Sequence, residues 1–304
     1  MVGKSLVSID DYTKDDYLKI LELAARYEKN PRQSILQGYV VATLFFEPST
    51  RTRLSFESAV NQLGGRIIGF SDSGTTSASK GETLRDTMKM VSNYSDLIVM
   101  RHPIEGSARW ASEMATVPVV NAGDGANQHP TQTFLDLFTI KESFGRLDNL
   151  KIGMMGDLKY GRTVHSLASA LAMFNNEMVF ISPPSLQMPG QLLKELDDGN
   201  IRYRNISDLE EAGNHDLDIL YVTRIQKERF GDPLEYKKVA GIYRITQDTI
   251  NTLGEDIRVM HPLPRVDEIA EEVDSMPNAI YFTQAHNGIP TRQALLGLVT
   301  GGLD

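Results

Sequence analysis

From Tyr39 to Phe46 the chain is almost continuously apolar, and it then turns at Pro48 into Ser49-Thr50-Arg51-Thr52-Arg53. A run of this kind suits a strand of a parallel sheet covered on both faces. Beyond the turn, Phe56, Ala59, Val60 and Leu63 fall at i, i+3, i+4 and i+7 and share one face of a helix. Pro48, Ser49 and Thr50 supply the turn and a capping hydroxyl for that helix. Its first turn offers unpaired backbone N–H groups and the positive end of the helix dipole, a ready anion site. Arg51 and Arg53 would work against that dipole unless an anion were bound, and guanidinium groups hold phosphate with a planar fork of donors. The segment reads as a phosphate cradle.

The strand–helix alternation recurs along the chain. Strands are predicted at Val40–Phe46, Arg66–Phe70, Leu97–Met100 and Val117–Asn121. A second series follows at Lys151–Met155, Met178–Ile181, Ile201–Arg204, Ile219–Val222, Arg258–Met260 and Ile280–Phe282. Helical patterns separate most of them, as at Leu135, Leu137, Phe138 and Ile140, or Val164, Leu167, Ala168 and Leu171. Such alternation predicts α/β architecture with two doubly wound parallel-sheet domains and a shared interdomain cleft, ligands sitting at the carboxyl ends of the strands. The length of 304 residues suits two domains. Gly145 closes a helix just before the second series opens, so the division expected is 1–145, completed by a C-terminal helix at 287–304, and 146–286.

Composition narrows the function. With no cysteine there is no disulfide framework, no thiolate nucleophile and no cysteine zinc site. A net charge of −9 argues against a general nucleic-acid binder. No run is apolar for long enough to span a bilayer, and Met1-Val2-Gly3-Lys4-Ser5 is no signal peptide, so no membrane role and a cytoplasmic location are expected. None of the six histidines has metal-ligand spacing, so no metal is expected, and no cofactor motif is complete.

Further motifs carry polar groups to strand ends. Arg101 leaves the Leu97–Met100 strand and meets Pro103; taken alone, it reads equally well as a surface arginine. Asn121 to Thr133 is a long polar, glycine-rich loop running into a helix, with His129 and Gln132 three apart at the helix start. A lone histidine is more often structural than catalytic, but one followed by proline in such a loop points to function. Lys151 to His165 joins a strand, a glycine turn and a helix start bearing Arg162 and Thr163. Its glycines, at 153, 156 and 161, miss the dinucleotide spacing, and the next strand ends at Ser182-Pro183 without an acid. Arg224 leaves the Ile219–Val222 strand, with Gln226 beyond it. In His261-Pro262-Leu263-Pro264-Arg265 two prolines shape a turn and leave the carbonyls of Pro262 and Leu263 able to accept from a bound amide, although a rigid structural turn needs the same residues. Lys80 lies in a polar loop that is no P-loop, since glycine follows it. An arginine set with one histidine suits a reaction run by positioning and charge stabilisation.

Together these motifs, in this order from about Val41 to Leu298, closely resemble the catalytic chains of the aspartate carbamoyltransferase family. Ser49-Thr50-Arg51-Thr52-Arg53 matches all transcarbamoylases; Asp157 to Arg162 and His261 to Arg265 match the aspartate branch, whereas the ornithine branch carries a cysteine that this chain lacks. The resemblance implies that Ser49, Thr50, Arg51, Thr52 and Arg101 hold the phosphate of carbamoyl phosphate. Arg101, His129 and Thr52 would polarise its carbonyl oxygen, while Gln132 and the Pro262-Leu263-Pro264 turn hold its amino group. Arg162, with Thr163 beside it, and Arg224 would take the carboxylates of L-aspartate, with Gln226 alongside. Lys80 would reach in from a neighbouring subunit of a homotrimer, and Thr76 stands where the family has a serine. Glu47 would bridge to Arg162 and Arg229 on domain closure. The resemblance also implies a separate zinc-containing regulatory chain in an allosteric holoenzyme, with Arg109 and Glu113 where its contact falls. Two other classes compete: a nicotinamide-linked oxidoreductase, weakened by the glycine spacing, and a non-catalytic metabolite-binding protein.

Overall fold

The computed structural model describes residues 3–226 and 230–301 and divides into two compact units, Met1–Thr139 with His286–Asp304, and Ile140–Ala285. In the first unit β1 (Val40–Phe45), β2 (Arg66–Phe70), β3 (Leu97–His102) and β4 (Val119–Asp124) form a parallel sheet in the order β2-β1-β3-β4. Period-two alternation turns Ala42, Leu44, Ile98 and Met100 to one face, where they pack with Met88 of α3 (Leu84–Val91) and Ala108 and Ala111 of α4 (Ser107–Met114). Val41, Phe45, Leu97 and Val99 are buried on the other face. The β2 strand is an edge, and Ile68 on it is 40% exposed.

Helices over Lys14–Lys29, Thr50–Gln62 and Gly288–Thr300 also belong to this unit. α1 (Lys14–Lys29) opens with a capping box between Thr13 and Asp16, and buries Tyr17, Ile20, Leu21 and Ala24 at i, i+3, i+4 and i+7. Both signals stand in the sequence, although the strand–helix alternation described above begins only at Val40. The C-terminal helix expected around 287–304 is α12 (Gly288–Thr300), buried from Pro290 to Val299 on every side. It packs against α1 and against α2 (Thr50–Gln62), so polar side chains on it, Thr291, Arg292 and Gln293, are buried too.

The second unit has five parallel strands in the order β7-β6-β5-β8-β9: β5 (Lys151–Met155), β6 (Glu177–Ile181), β7 (Arg202–Ile206), β8 (Ile219–Val222) and β9 (Arg258–Met260). Its core joins Met155, Val179, Ile181, Leu220, Val222 and Val259 to Ile250 and Leu253 of α10 (Gln247–Leu253) and to Tyr281. The strand expected at Ile280–Phe282 is absent. Ala279 makes an isolated parallel bridge to Val259, the Ile280 N–H donates to the Val259 carbonyl, and the chain then coils into α11 (Tyr281–His286). Three apolar residues do not set a period, and the Gln284 N–H to the Ile280 carbonyl closes a helical turn instead.

Candidate active site

Both units reverse strand order next to their first strand. In the first, the chain runs β1 to β2 on one side and then crosses to β3, so the loops after β1 and β3 part at a switch point. The pairing of Phe45 with Arg101 brings the two strand ends level. Glu47 and the start of α2 leave one strand as Arg101 ends the other, and Arg101 Nη2 donates to Glu47 Oε1 at 2.6 Å. Arg101 Nε is buried and has no hydrogen-bond partner among the described residues.

Ser49 occupies the N-cap of α2, but its side chain makes no capping hydrogen bond, contrary to the expectation above. Its carbonyl starts the helix by accepting from the Arg53 N–H at 3.2 Å. The first-turn amides of Thr50 to Thr52 therefore keep the outward donors of an anion site. Thr50 is exposed and Thr52 buried, while Arg53 is turned back to Glu57 at 2.8 Å. Partial desolvation of Arg51, and then the positive charge of Arg101, pull the Arg51 guanidinium below its ordinary range. Two cations that repel each other at a helix N-terminus are stabilised by an anion between them.

After β4 comes the glycine-rich loop, and its organiser is a residue the sequence reading passed over. Asp124 is 1% exposed; its carboxylate accepts from Asn121 Nδ2 and Asn127 Nδ2 (2.9 Å each), the Gly106 N–H (3.0 Å) and the Gln128 N–H (3.2 Å). Gly125, at φ +57°, lets the backbone pass where a Cβ would stand 2.7 Å from the Pro103 carbonyl. An aspartate between two glycines is the signal that pointed to it. The loop delivers His129, 4% exposed, to the start of α5 (Pro130–Phe144), with Thr131 Oγ1 3.4 Å from its Nδ1. Gln132 Nε2 donates to Asp136 at 2.9 Å, which makes Oε1 the acceptor end of the amide. Lys80 is exposed at the end of a short turn, Ser77–Lys80, capped by Thr76, in the loop after edge strand β2. The structure brings Glu47 and Arg101 together beside the start of α2, which bears the exposed Arg51, and leaves Lys80 off the outer strand.

In the second unit the switch point lies between β5 and β8. Gly156, at φ +118°, allows these strand ends to meet, since a Cβ there would stand 2.2 Å from the Thr223 carbonyl. Asp157 is fully buried and accepts from the Tyr160 N–H at 3.0 Å; burial lifts its carboxyl above the ordinary range against backbone hydrogen bonds from Tyr160 and Gln226. Arg162 and Thr163 open α6 (Arg162–Ala172), half-buried, and Arg224 and Gln226 are half-buried after β8. Arg229 lies outside the described residues. After β9, Pro262 and Leu263 are half-buried and Pro264 is exposed. Arg265 is engaged elsewhere: it pairs with Asp274 and reaches the Tyr281 hydroxyl at 3.0 Å. Arg109, in the first unit, pairs with Asp11 at 2.7 Å. Among the described residues no three His, Asp or Glu side chains converge as a metal centre requires, and no helix is long and apolar enough to cross a membrane.

Comparison with known proteins decides the family. Residues 4–142 match a family model described as the carbamoyl-P binding domain of aspartate/ornithine carbamoyltransferase, and residues 148–299 match the Asp/Orn binding domain. The chain belongs to the aspartate/ornithine carbamoyltransferase family. It is 55% identical over 301 residues to an aspartate carbamoyltransferase catalytic subunit of Parabacteroides distasonis, covering 99% of this chain and 98% of that one. A Thermococcus onnurineus catalytic subunit is 54% identical, with 99% and 98% covered. Among solved structures, the catalytic subunit of M. jannaschii aspartate transcarbamoylase superposes with a TM-score of 0.90 at 48% identity, covering 98% of this chain and 99% of that one. The Trypanosoma cruzi aspartate transcarbamoylase in complex with carbamoyl phosphate and aspartate gives 0.92 at 36%, covering 98% and 97%. Within this carbamoyltransferase the first matched domain holds Glu47, Arg51, Arg101 and His129, and the second holds Arg162, Arg224 and the turn after β9.

Proposed function

We propose that the chain transfers the carbamoyl group of carbamoyl phosphate to L-aspartate, giving N-carbamoyl-L-aspartate and phosphate, the second step of de novo pyrimidine biosynthesis. The observation that carries this is the Arg101–Glu47 pair at level strand ends, beside the α2 N-terminus that bears Arg51, in a chain of this family. In this reading residues 1–145 with 287–304 form the carbamoyl-phosphate domain and 146–286 the aspartate domain. Ser49, Thr50, Arg51, Thr52 and Arg101 hold the phosphate. Arg101, Thr52 and His129 stabilise the oxygen that becomes negative as the aspartate amine attacks the carbamoyl carbon; such donors are worth about 3–4 kcal/mol each. Gln132 and the carbonyls of Pro262 and Leu263 hold the amino group, and Pro264 shapes their turn. Arg162 and Arg224 take the aspartate carboxylates, with Thr163 and Gln226 beside them. As the C–O bond to phosphate breaks, the departing phosphate takes the amine proton.

Lys80 belongs to a neighbouring subunit's site in a cytoplasmic homotrimer, and a zinc-containing regulatory chain completes an allosteric holoenzyme. Glu47 and Arg229 act in domain closure. The deciding assay is phosphate release from carbamoyl phosphate with L-aspartate or L-ornithine as acceptor. Release dependent on aspartate alone is expected, and release driven equally by ornithine would overturn the assignment.

A further inference from the structure

Behind the Pro262-Leu263-Pro264 turn stands a buried pair that no catalytic role above employs. His261 is 2% exposed and Glu268 7%. The Leu263 N–H donates to His261 Nδ1 at 2.8 Å, so the ring proton sits on Nε2 and is donated to Glu268 Oε1 at 2.7 Å. Glu268 Oε2 accepts from the N–H groups of Val266 and Asp267, at 3.1 Å each. The His261 N–H donates to Gln284 Oε1 at 2.8 Å, anchoring the strand end. Leu263 is held at φ +54°, a left-handed conformation unusual for leucine.

The two side chains are thus bonded to each other and to backbone N–H groups of their own loop. Burying an acid and an imidazole is costly, and apolar packing would close a loop at lower cost. What the pair adds is direction: it takes the N–H groups of residues 263, 266 and 267 inside and so restricts the turn. We propose that His261 and Glu268 are positioning residues, which hold the carbonyls of Pro262 and Leu263 toward the amino group of the donor and so make the site prefer a carbamoyl over an acyl phosphate. This rests on the assignment of those carbonyls made above.

The test compares carbamoyl phosphate with acetyl phosphate, which carries a methyl group in place of the amino group, as ligands of the full chain by calorimetry. In His261→Leu the Kd for carbamoyl phosphate should rise about tenfold, and that for acetyl phosphate should change by less than about twofold. The KM for carbamoyl phosphate should follow while kcat changes little, because the contact exists before and during reaction. His261→Asn should recover much of the loss, since its Oδ1 can accept from the N–H two residues on. Where the leucine variant does not fold, Glu268→Gln is the second variant; its amide N–H group would face the Val266 and Asp267 donors, and the same selective loss is expected. Equal weakening of both ligands, or unchanged carbamoyl phosphate affinity, would overturn the proposal alone. A wild-type chain that binds both phosphates equally would remove the carbonyl assignment, and the proposal with it.

Discussion

The guanidinium of Arg101 donates to the carboxylate of Glu47 at 2.6 Å, across two strand ends that are level in the sheet. A cation assigned to phosphate is thus held in place by an acid in the adjoining loop, and its Nε is buried with no hydrogen-bond partner among the described residues. The pair fixes the plane of the fork before any anion binds.

Arg101→Lys should fail to rescue this site, because an ammonium is a point charge and cannot serve Glu47 and a phosphate through one plane. Steady-state kinetics should show kcat/KM reduced about a hundredfold or more. Near-normal activity would mean that charge alone suffices there.

His129→Ala should lower kcat more than it raises KM for either substrate, since its hydrogen bond strengthens as charge develops on the carbonyl oxygen. A loss of about a hundredfold in kcat is expected. A rise in KM with kcat intact would assign His129 to binding only.

Arg224→Ala should raise the KM for aspartate strongly and leave carbamoyl phosphate binding nearly intact. The half-buried arginine follows β8 in the unit that contains no part of the α2 cradle. Calorimetry with carbamoyl phosphate alone checks the second half of this expectation; a large loss there would contradict it.

Lys80 is exposed beyond an edge strand, a position suited to serving another copy of the chain. Lys80→Ala and Arg51→Ala should each be nearly inactive, and trimers reassembled from the two should regain activity, because some sites then pair an intact Lys80 with an intact Arg51. Verified mixed trimers without recovery would place Lys80 in its own chain's site.

Stability should fall in mild acid. Burial lowers the pKa of His165 from 6.5, against the Leu158 hydrogen bond and the charge of Asp157, and burial likewise lowers His102 against Glu47 and Asp124. Through these two groups the unfolded chain binds more protons than the folded one below about pH 6.5, so their contribution to stability declines as pH falls through that region and is level above it, while the raised pKa of Asp157 works in the opposite direction. Urea midpoints between about pH 7.5 and about pH 5.5 should show the decline, with a shallower slope in His165→Gln. Parallel slopes would remove His165 as a contributor.

The sequence by itself determined the strands, the parallel α/β class and the loops that carry chemistry, because side-chain periodicity and turn residues act over a few neighbours. It carried the signal for α1 and did not carry one strong enough to distinguish Ile280–Phe282 from a helix start. Only the tertiary structure decided the strand orders, and with them which loops meet at a switch point. It also decided that Glu47 holds Arg101, that Asp124 orders the glycine loop, and that Arg265 serves Asp274. Glu47 and Arg101 are far apart along the chain, and nothing local to either residue encodes the other. Their contact exists because two apolar strands, each chosen by its own burial, were brought side by side.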